Sequence, residues 1–280
     1  MNVSTRPAAA TALPPQPRDY QGVNWEGLKT LYLREVRRFW KVGMQTVAAP
    51  VVTTLLYMMI FVVAMQDARP PIQGVTFGEF VAPGLVMMAI LNNAFANSSS
   101  SLIQAKLMGT ASDFLTPPLS PVELLAGFGL GAATRGVVVG LVTALCVWPF
   151  AGFGFEGFGL AQAGAIVFYA LFASLLMGLI GVIAGLWSEK FDHLAAVQNF
   201  VVMPMTFLSG TFYLVDRLPE PFRTASHYNP FFYLIDGFRF GFIGRAEGSL
   251  AVGMALTVAL TALLAFVCLR LFSSGWRLKT

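Results

Sequence analysis

Six apolar stretches, each long enough to cross a bilayer as a helix, constrain this chain more than any other feature. They run approximately over residues 43–65, 80–101, 124–148, 160–187, 195–214 and 249–272. A hydrocarbon layer about 30 Å thick needs roughly 20 helical residues. Only Arg135 and Arg270 put a charge inside any of the six stretches. The short alternating segments of a membrane barrel are absent, so the spans are expected to be helices that satisfy their own backbone hydrogen bonds. Only 11% of the 280 residues are charged and 56% are hydrophobic, against about 25% charged in soluble domains. Little sequence is left for a soluble unit, and a single all-α integral membrane domain is expected.

The basic residues orient it. With the N-terminus in the cytoplasm, twelve of the eighteen lysines and arginines fall inside, five fall outside and Arg135 stays in the membrane. The inner set includes Arg34, Arg37, Arg38, Lys41, Lys106, Lys190 and Arg277; the outer set is Arg69, Arg217, Arg223, Arg239 and Arg245. This bias places both termini in the cytoplasm. Four of the outer arginines share one loop with Asp216, Glu220, Asp236 and Glu247, which makes that loop locally neutral. The net charge of +4 therefore reflects membrane flanks, not a nucleic-acid-binding patch with interleaved aromatics.

Between the spans, four segments stand out. Residues 1–23 are rich in Ala and Pro and lack the apolar core of a signal peptide, so a disordered cytoplasmic tail is expected. Residues 24–41 form an amphipathic interfacial helix, with Trp25, Leu28, Tyr32, Val36 and Phe39 on one face and Glu26, Thr30, Arg34, Arg37 and Lys41 on the other. In the loop 104–120, residues 105–115 are expected to be helical before Pro117, Pro118 and Pro121 stop them. Residues 215–248 are aromatic-rich and broken by Pro219, Pro221 and Pro230, which predicts a pair of short re-entrant or interfacial helices.

Chemistry is constrained mainly by what is missing. No Gly-Lys dipeptide occurs, so a phosphate-binding loop of the G-x-x-x-x-G-K-[ST] type is excluded and the chain is not expected to hydrolyse ATP alone. His193 and His227 are separate from each other and from Cys146 and Cys268; neither a metal set nor a catalytic triad is expected. No pair of carboxylates lies within the spans to relay protons. A charge at mid-span costs roughly 2.5–3.5 kcal/mol, so Arg135 must face protein or water. It is either a tie to a neighbouring helix or part of a path wall. Its expected partners lie in the polar half of the second span, Asn92, Asn93, Asn97 and Ser98 through Ser101. Pro50, Pro83 and Pro204 are expected to kink the first, second and fifth spans.

Taken in order, these segments resemble the permease subunits of type-2 ABC transporters, in the bacterial polysaccharide and drug exporter group. The blocks are Arg34-Glu35, then Pro50, Phe80-Val81-Ala82-Pro83-Gly84-Leu85 and Phe114-Leu115-Thr116-Pro117-Pro118-Leu119-Ser120-Pro121. They continue with Phe207-Leu208-Ser209-Gly210-Thr211-Phe212-Tyr213, Leu218-Pro219, Asn229-Pro230 and Gly237-Phe238-Arg239. The resemblance implies a six-span permease domain over 42–275, a short cytoplasmic tail over 276–280, and a multi-pass protein of the bacterial inner membrane. It implies a homodimer joined to two copies of a separate ABC ATPase subunit, which would bind ATP and Mg; no cofactor is expected in this chain. It assigns ATPase coupling to Arg34, Glu35, Lys106, Leu107, Asp113, Phe114 and Leu115. It assigns the substrate path to Asn92, Asn93 and Asn97, with Phe207 and Leu208, and an outer gate to Pro219, Asn229, Pro230 and Arg239. Arg135 joins the path residues on the strength of its position. Membrane lipids are expected neighbours. The competing class is a membrane scaffold or lipid-binding sensor without a transport cycle.

Overall fold

The computed structural model describes residues 22–65, 71–72, 74–152 and 158–277, with backbone alone at 62–65. Most of the N-terminal tail and residues 278–280 lie outside the described residues, as do Arg6, Arg18, Arg69 and Lys279. Among the described residues the regular structure is helical, apart from one antiparallel bridge between Ile72 and Val75. Eleven α-helices follow in order: α1 (Trp25–Lys41), α2 (Ala49–Met65), α3 (Phe77–Leu107), α4 (Ser112–Leu115), α5 (Pro121–Ala151), α6 (Leu160–Trp187), α7 (Phe191–Val197), α8 (Met203–Phe207), α9 (Phe222–Tyr228), α10 (Pro230–Ile243) and α11 (Leu250–Ser274).

Local sequence explains most of the boundaries. Thr76 and Glu79 make a reciprocal capping box at the start of α3, and Ser120 and Glu123 make one at the start of α5, where Pro121 takes the first helical position. Asn229 caps α10 through the Phe231 amide, and Ser249 caps α11 through that of Val252. Five helical stretches are long and apolar enough to cross a membrane: Met44–Phe61, Phe77–Leu107, Pro121–Ala151, Leu160–Trp187 and Leu250–Ser274.

The remaining apolar run differs from expectation. The stretch expected at 195–214 is realised as α7, a π-helical turn (Gln198–Val202) and α8, after which the chain turns at Leu208 through Tyr213. Phe191 to Phe207 is 17 residues, about 25 Å of helix, short of the hydrocarbon thickness. A second π turn (Met44–Ala48) precedes α2. Both π turns end two residues before a proline, Pro50 and Pro204. A proline ring removes one donor and clashes with the carbonyl four residues back, so a local shift to wider hydrogen bonding relieves both problems. Pro83, by contrast, sits inside an uninterrupted α3.

The expected helix over 105–115 is also corrected. α3 runs on to Leu107, Gly109 then adopts φ of +69°, and only the single turn of α4 follows. That positive φ is open to glycine and ends the helix there.

α3 is the central post, buried along most of its length and packed against α5 and α6. Small residues set the α3–α6 approach. A Cβ on Gly181 would lie 2.5 Å from the Phe95 carbonyl oxygen, and one on Gly185 would lie 2.9 Å from that of Ser99. This is the close small-xxx-small packing of membrane helices, where backbone contact replaces the hydrophobic effect as the source of association. α10 inserts between α3, α6 and α11, burying Phe231, Phe232, Leu234, Ile235 and Phe238. α9 and α10, with 7 and 14 residues, are each too short to span. Cys268 is buried in the lower core against Leu179, and Cys146 is half-buried.

Candidate functional site

The polar half of α3 is where the chain concentrates its buried charge. α1 has the expected bounds, and its buried residues are Leu31, Glu35 and Phe39, of which only Phe39 belongs to the expected apolar face; Trp25 is 71% exposed. Positions 31, 35 and 39 repeat every four residues and so share one stripe. A carboxylate occupies that stripe because α3 satisfies it. Glu35 is fully buried and accepts from Ser101 Oγ at 2.7 Å and Asn97 Nδ2 at 3.5 Å. It also pairs with Arg34 at 3.1 Å and Arg38 at 3.4 Å. α5 leaves room for it with Gly131, whose added Cβ would come within 2.6 Å of Glu35 Cβ.

Arg38 extends the network. It donates to the Asn97 carbonyl at 2.5 Å, to Asn97 Oδ1 at 3.3 Å and to Ser100 Oγ at 3.0 Å. Arg135, midway along α5, donates to Asn93 Oδ1 at 3.1 Å. Asn92 accepts from Gln198 Nε2 at 2.7 Å, which ties α3 to the second π turn. A cavity of about 610 Å³ opens among these groups. Arg38, Asn92, Asn93, Ser100 and Arg135 line it together with Gln45, Thr46, Thr53 and Thr54 from the first π turn and α2; Val42, Tyr57, Leu85 and Met88 supply apolar wall. Of the expected path residues, Asn92, Asn93 and Arg135 therefore meet at one cavity. Asn97 lies behind it in the Glu35–Arg38 network. Phe207 and Leu208 lie elsewhere: the Phe207 ring stacks on Phe212 at 5.5 Å, and the Leu208 carbonyl accepts from Ser226.

The loop after α3 is held to the same network. Phe114 is buried edge-on against Phe128 with ring centroids 5.5 Å apart, and the Arg34 guanidinium lies 5.1 Å from the Phe114 ring centre. Asn24 donates to Pro118 and Glu123, tying the start of α1 to the start of α5. Lys106 Nζ donates to the carbonyls of Leu186, at 2.7 Å, and Ser188 at the end of α6. Leu107 and Asp113 are exposed and Leu115 is half-buried. The expected coupling residues thus divide into anchors, Arg34, Glu35, Lys106 and Phe114, and a solvent-facing set, Leu107 and Asp113, with Leu115 between them.

At the opposite end, three sequence blocks converge on Arg239, which is 1% exposed. Its guanidinium donates to the carbonyls of Phe80 at 3.1 Å, Gly210 at 2.6 Å and Thr211 at 3.5 Å. Asn229 donates to the Met205 carbonyl at 2.7 Å and Ser209 Oγ at 2.9 Å. Pro230 opens α10, and Pro219 is exposed. Asp236 accepts the backbone amides of Glu247 and Gly248.

Several of these residues were not singled out from sequence. Arg38, Gln198 and Asp236 look like ordinary flank or loop polar groups, and only their partners mark them. Glu123 was passed over as well, although the Ser-x-x-Glu spacing of its capping box before an apolar run is a signal that could have found it.

The polar seam thus lies inside a bundle whose long apolar helices can cross a membrane, and it is tied to the loop between two of them. Residues 26–243 match the ABC-2 type transporter family. The chain is 33% identical over 262 residues to the inner membrane transport permease YadH of Escherichia coli K12, covering 91% of this chain and 98% of that protein. It is also similar to nodulation protein J of Rhizobium leguminosarum: 27% identical in biovar trifolii, over 58% of this chain and 61% of that protein, and 22% in biovar viciae, over 80% and 84%. The chain belongs to the ABC-2 type transporter family, as a multi-pass membrane subunit in the bacterial inner membrane.

Proposed function

We propose that this chain is the membrane half of an ATP-driven exporter. Two copies form the translocation path, and two separate ATPase subunits bind ATP and Mg and drive it. Both termini face the cytoplasm, α7 through α8 completes a sixth crossing with the turn that follows, and α9 and α10 form a re-entrant cap at the outer exit. The observation that carries the coupling reading is the Glu35 network, because it makes one mechanical unit of α1, α3 and the loop bearing α4. A push on the exposed Leu107 and Asp113 is transmitted through Phe114 and Arg34 to Glu35, and from there to Asn97 and Ser101 on the central helix. Packed, bistable interfaces pass on such displacements because they deform little.

The test is reconstitution of the chain with its cognate ATPase in liposomes. Asp113→Ala combined with Leu115→Ala is expected to abolish subunit-dependent stimulation of ATP hydrolysis while the permease still elutes as a folded species. Unchanged association and hydrolysis in that double variant would overturn the coupling assignment. Hydrolysis indifferent to the permease would favour the scaffold or sensor class.

A further inference from the structure

The charge at the 610 Å³ cavity does not balance. Arg38 and Arg135 both line it, and Arg34 joins Arg38 on the single carboxylate of Glu35. Two guanidiniums therefore share one acid, and among the described residues no carboxylate pairs with Arg135. Arg135 uses one of its five donors on Asn93, and its buried Nε finds no protein acceptor; Arg38 Nε is in the same condition. Cations inside a membrane are expensive and normally pair with an anion. The rest of the wall is divided. Gln45, Thr46, Asn92, Asn93 and Ser100 offer neutral hydrogen-bonding groups, while Val42, Ala49, Pro50, Tyr57, Leu85 and Met88 offer apolar surface.

We propose that this cavity binds the phosphate group of an anionic amphiphile, with Arg135 and Arg38 on the oxyanion and the Tyr57–Leu85–Met88 wall against its chain. Guanidinium suits this role because its planar fork matches phosphate oxygens. The inference builds on the transport reading and names the chemistry of what the path would accept.

The experiment uses the permease alone in dodecyl maltoside, a detergent without phosphate, with thermal stabilisation and calorimetric titration as readouts. Three probes are compared: dodecyl phosphate, inorganic phosphate and dodecanol. Dodecyl phosphate is expected to bind saturably, and dodecanol to give no saturable shift. Arg135→Gln is expected to weaken dodecyl phosphate by about tenfold or more, and Arg135→Lys to recover part of that loss. Thr53 is exposed and lines the cavity, so Thr53→Trp offers a second variant that obstructs the site without removing a buried charge. It is expected to abolish binding while the melting temperature of the free protein holds. Equal response to dodecanol and dodecyl phosphate, or undiminished binding in Thr53→Trp, would sink the proposal. Inorganic phosphate binding as tightly as dodecyl phosphate would overturn the assignment to an amphiphile. Because no ATPase is present, absent binding alongside intact ATPase stimulation overturns this inference alone. Binding by a chain that stimulates no ATPase overturns the transport reading alone.

Discussion

Arg239 donates from Nε to the carbonyl of Phe80, 159 residues earlier, and its guanidinium carbon lies 3.9 Å from the centre of the Phe80 ring. With the carbonyls of Gly210 and Thr211 on the same side chain, one buried cation pins the start of α3, the turn after α8 and α10 together. Gly84 gives that approach its room, since a Cβ there would lie 3.0 Å from the Thr211 carbonyl oxygen.

Replacing Arg239 by Ala should therefore strip three buried carbonyls of their donor. At about 1–3 kcal/mol for a buried group left unsatisfied, a loss of roughly 3 kcal/mol or more is expected. Arg239→Lys should recover little, because a single ammonium lacks the planar fork that reaches several acceptors at once. Melting curves followed by size-exclusion fluorescence in detergent would measure both, and an unchanged Arg239→Ala curve would contradict the clamp.

Glu35→Ala leaves Arg34, Arg38 and Ser101 without their shared acceptor. Breaking one side of a buried ionic cluster costs roughly 3–5 kcal/mol. The visible consequence should be release of α1, read as faster tryptic cleavage at Arg34, Arg37 and Arg38. Glu35→Gln keeps an acceptor for Ser101 and should fall between wild type and Ala. Equal cleavage rates in all three proteins would show that α1 is held by other contacts.

The α3–α6 contact predicts a contrast along one helix. Gly181→Leu drives a side chain into the Phe95 carbonyl and should cost about 1–3 kcal/mol through helix separation. Gly164, in the same helix, has nothing within 4 Å of a built Cβ. Gly164→Leu should stay within about 0.5 kcal/mol or stabilise slightly through helix propensity. Comparable losses at both positions would mean that backbone proximity is not what holds these helices.

Glu247 supplies a pH dependence. Burial holds its carboxyl above the usual glutamate range, with Asp236 and Asp216 adding to the effect, against the Asp216 amide and Arg239. A carboxyl whose folded pKa is raised binds its proton more tightly when folded. Its contribution to stability is thus intact below the unfolded value of about 4.3 and declines as pH rises through the window up to the folded value. Glu247→Gln, neutral throughout, should melt like wild type below about pH 4 and higher than wild type at neutral pH. A difference that does not change with pH would remove Glu247 as its source.

The fifth expected span shows where sequence reading stopped. Hydropathy found the apolar run over 195–214, but hydropathy does not see hydrogen-bond register. Pro204 announced a disturbance without saying that it would take the form of a π turn at Gln198–Val202, mirrored by the one before Pro50. The buried stripe of α1 escaped the sequence for a related reason. Periodicity ranks side chains by polarity, and Glu35 could enter the buried stripe only because Asn97 and Ser101 stood opposite.

What the sequence determined by itself was the class of solution: long uncharged runs leave helices as the means of satisfying backbone groups in lipid, basic flanks give them an expected orientation, and Arg135 was expected to meet the polar half of the second span, where Asn93 lies. The tertiary structure decided which polar groups meet. It placed Arg38 beside Asn97 and Ser100, gathered three distant blocks on Arg239, and left Arg135 at a cavity whose lining holds no carboxylate. Burial of a charge is settled by its neighbours in space, and those lie scores of residues away along the chain.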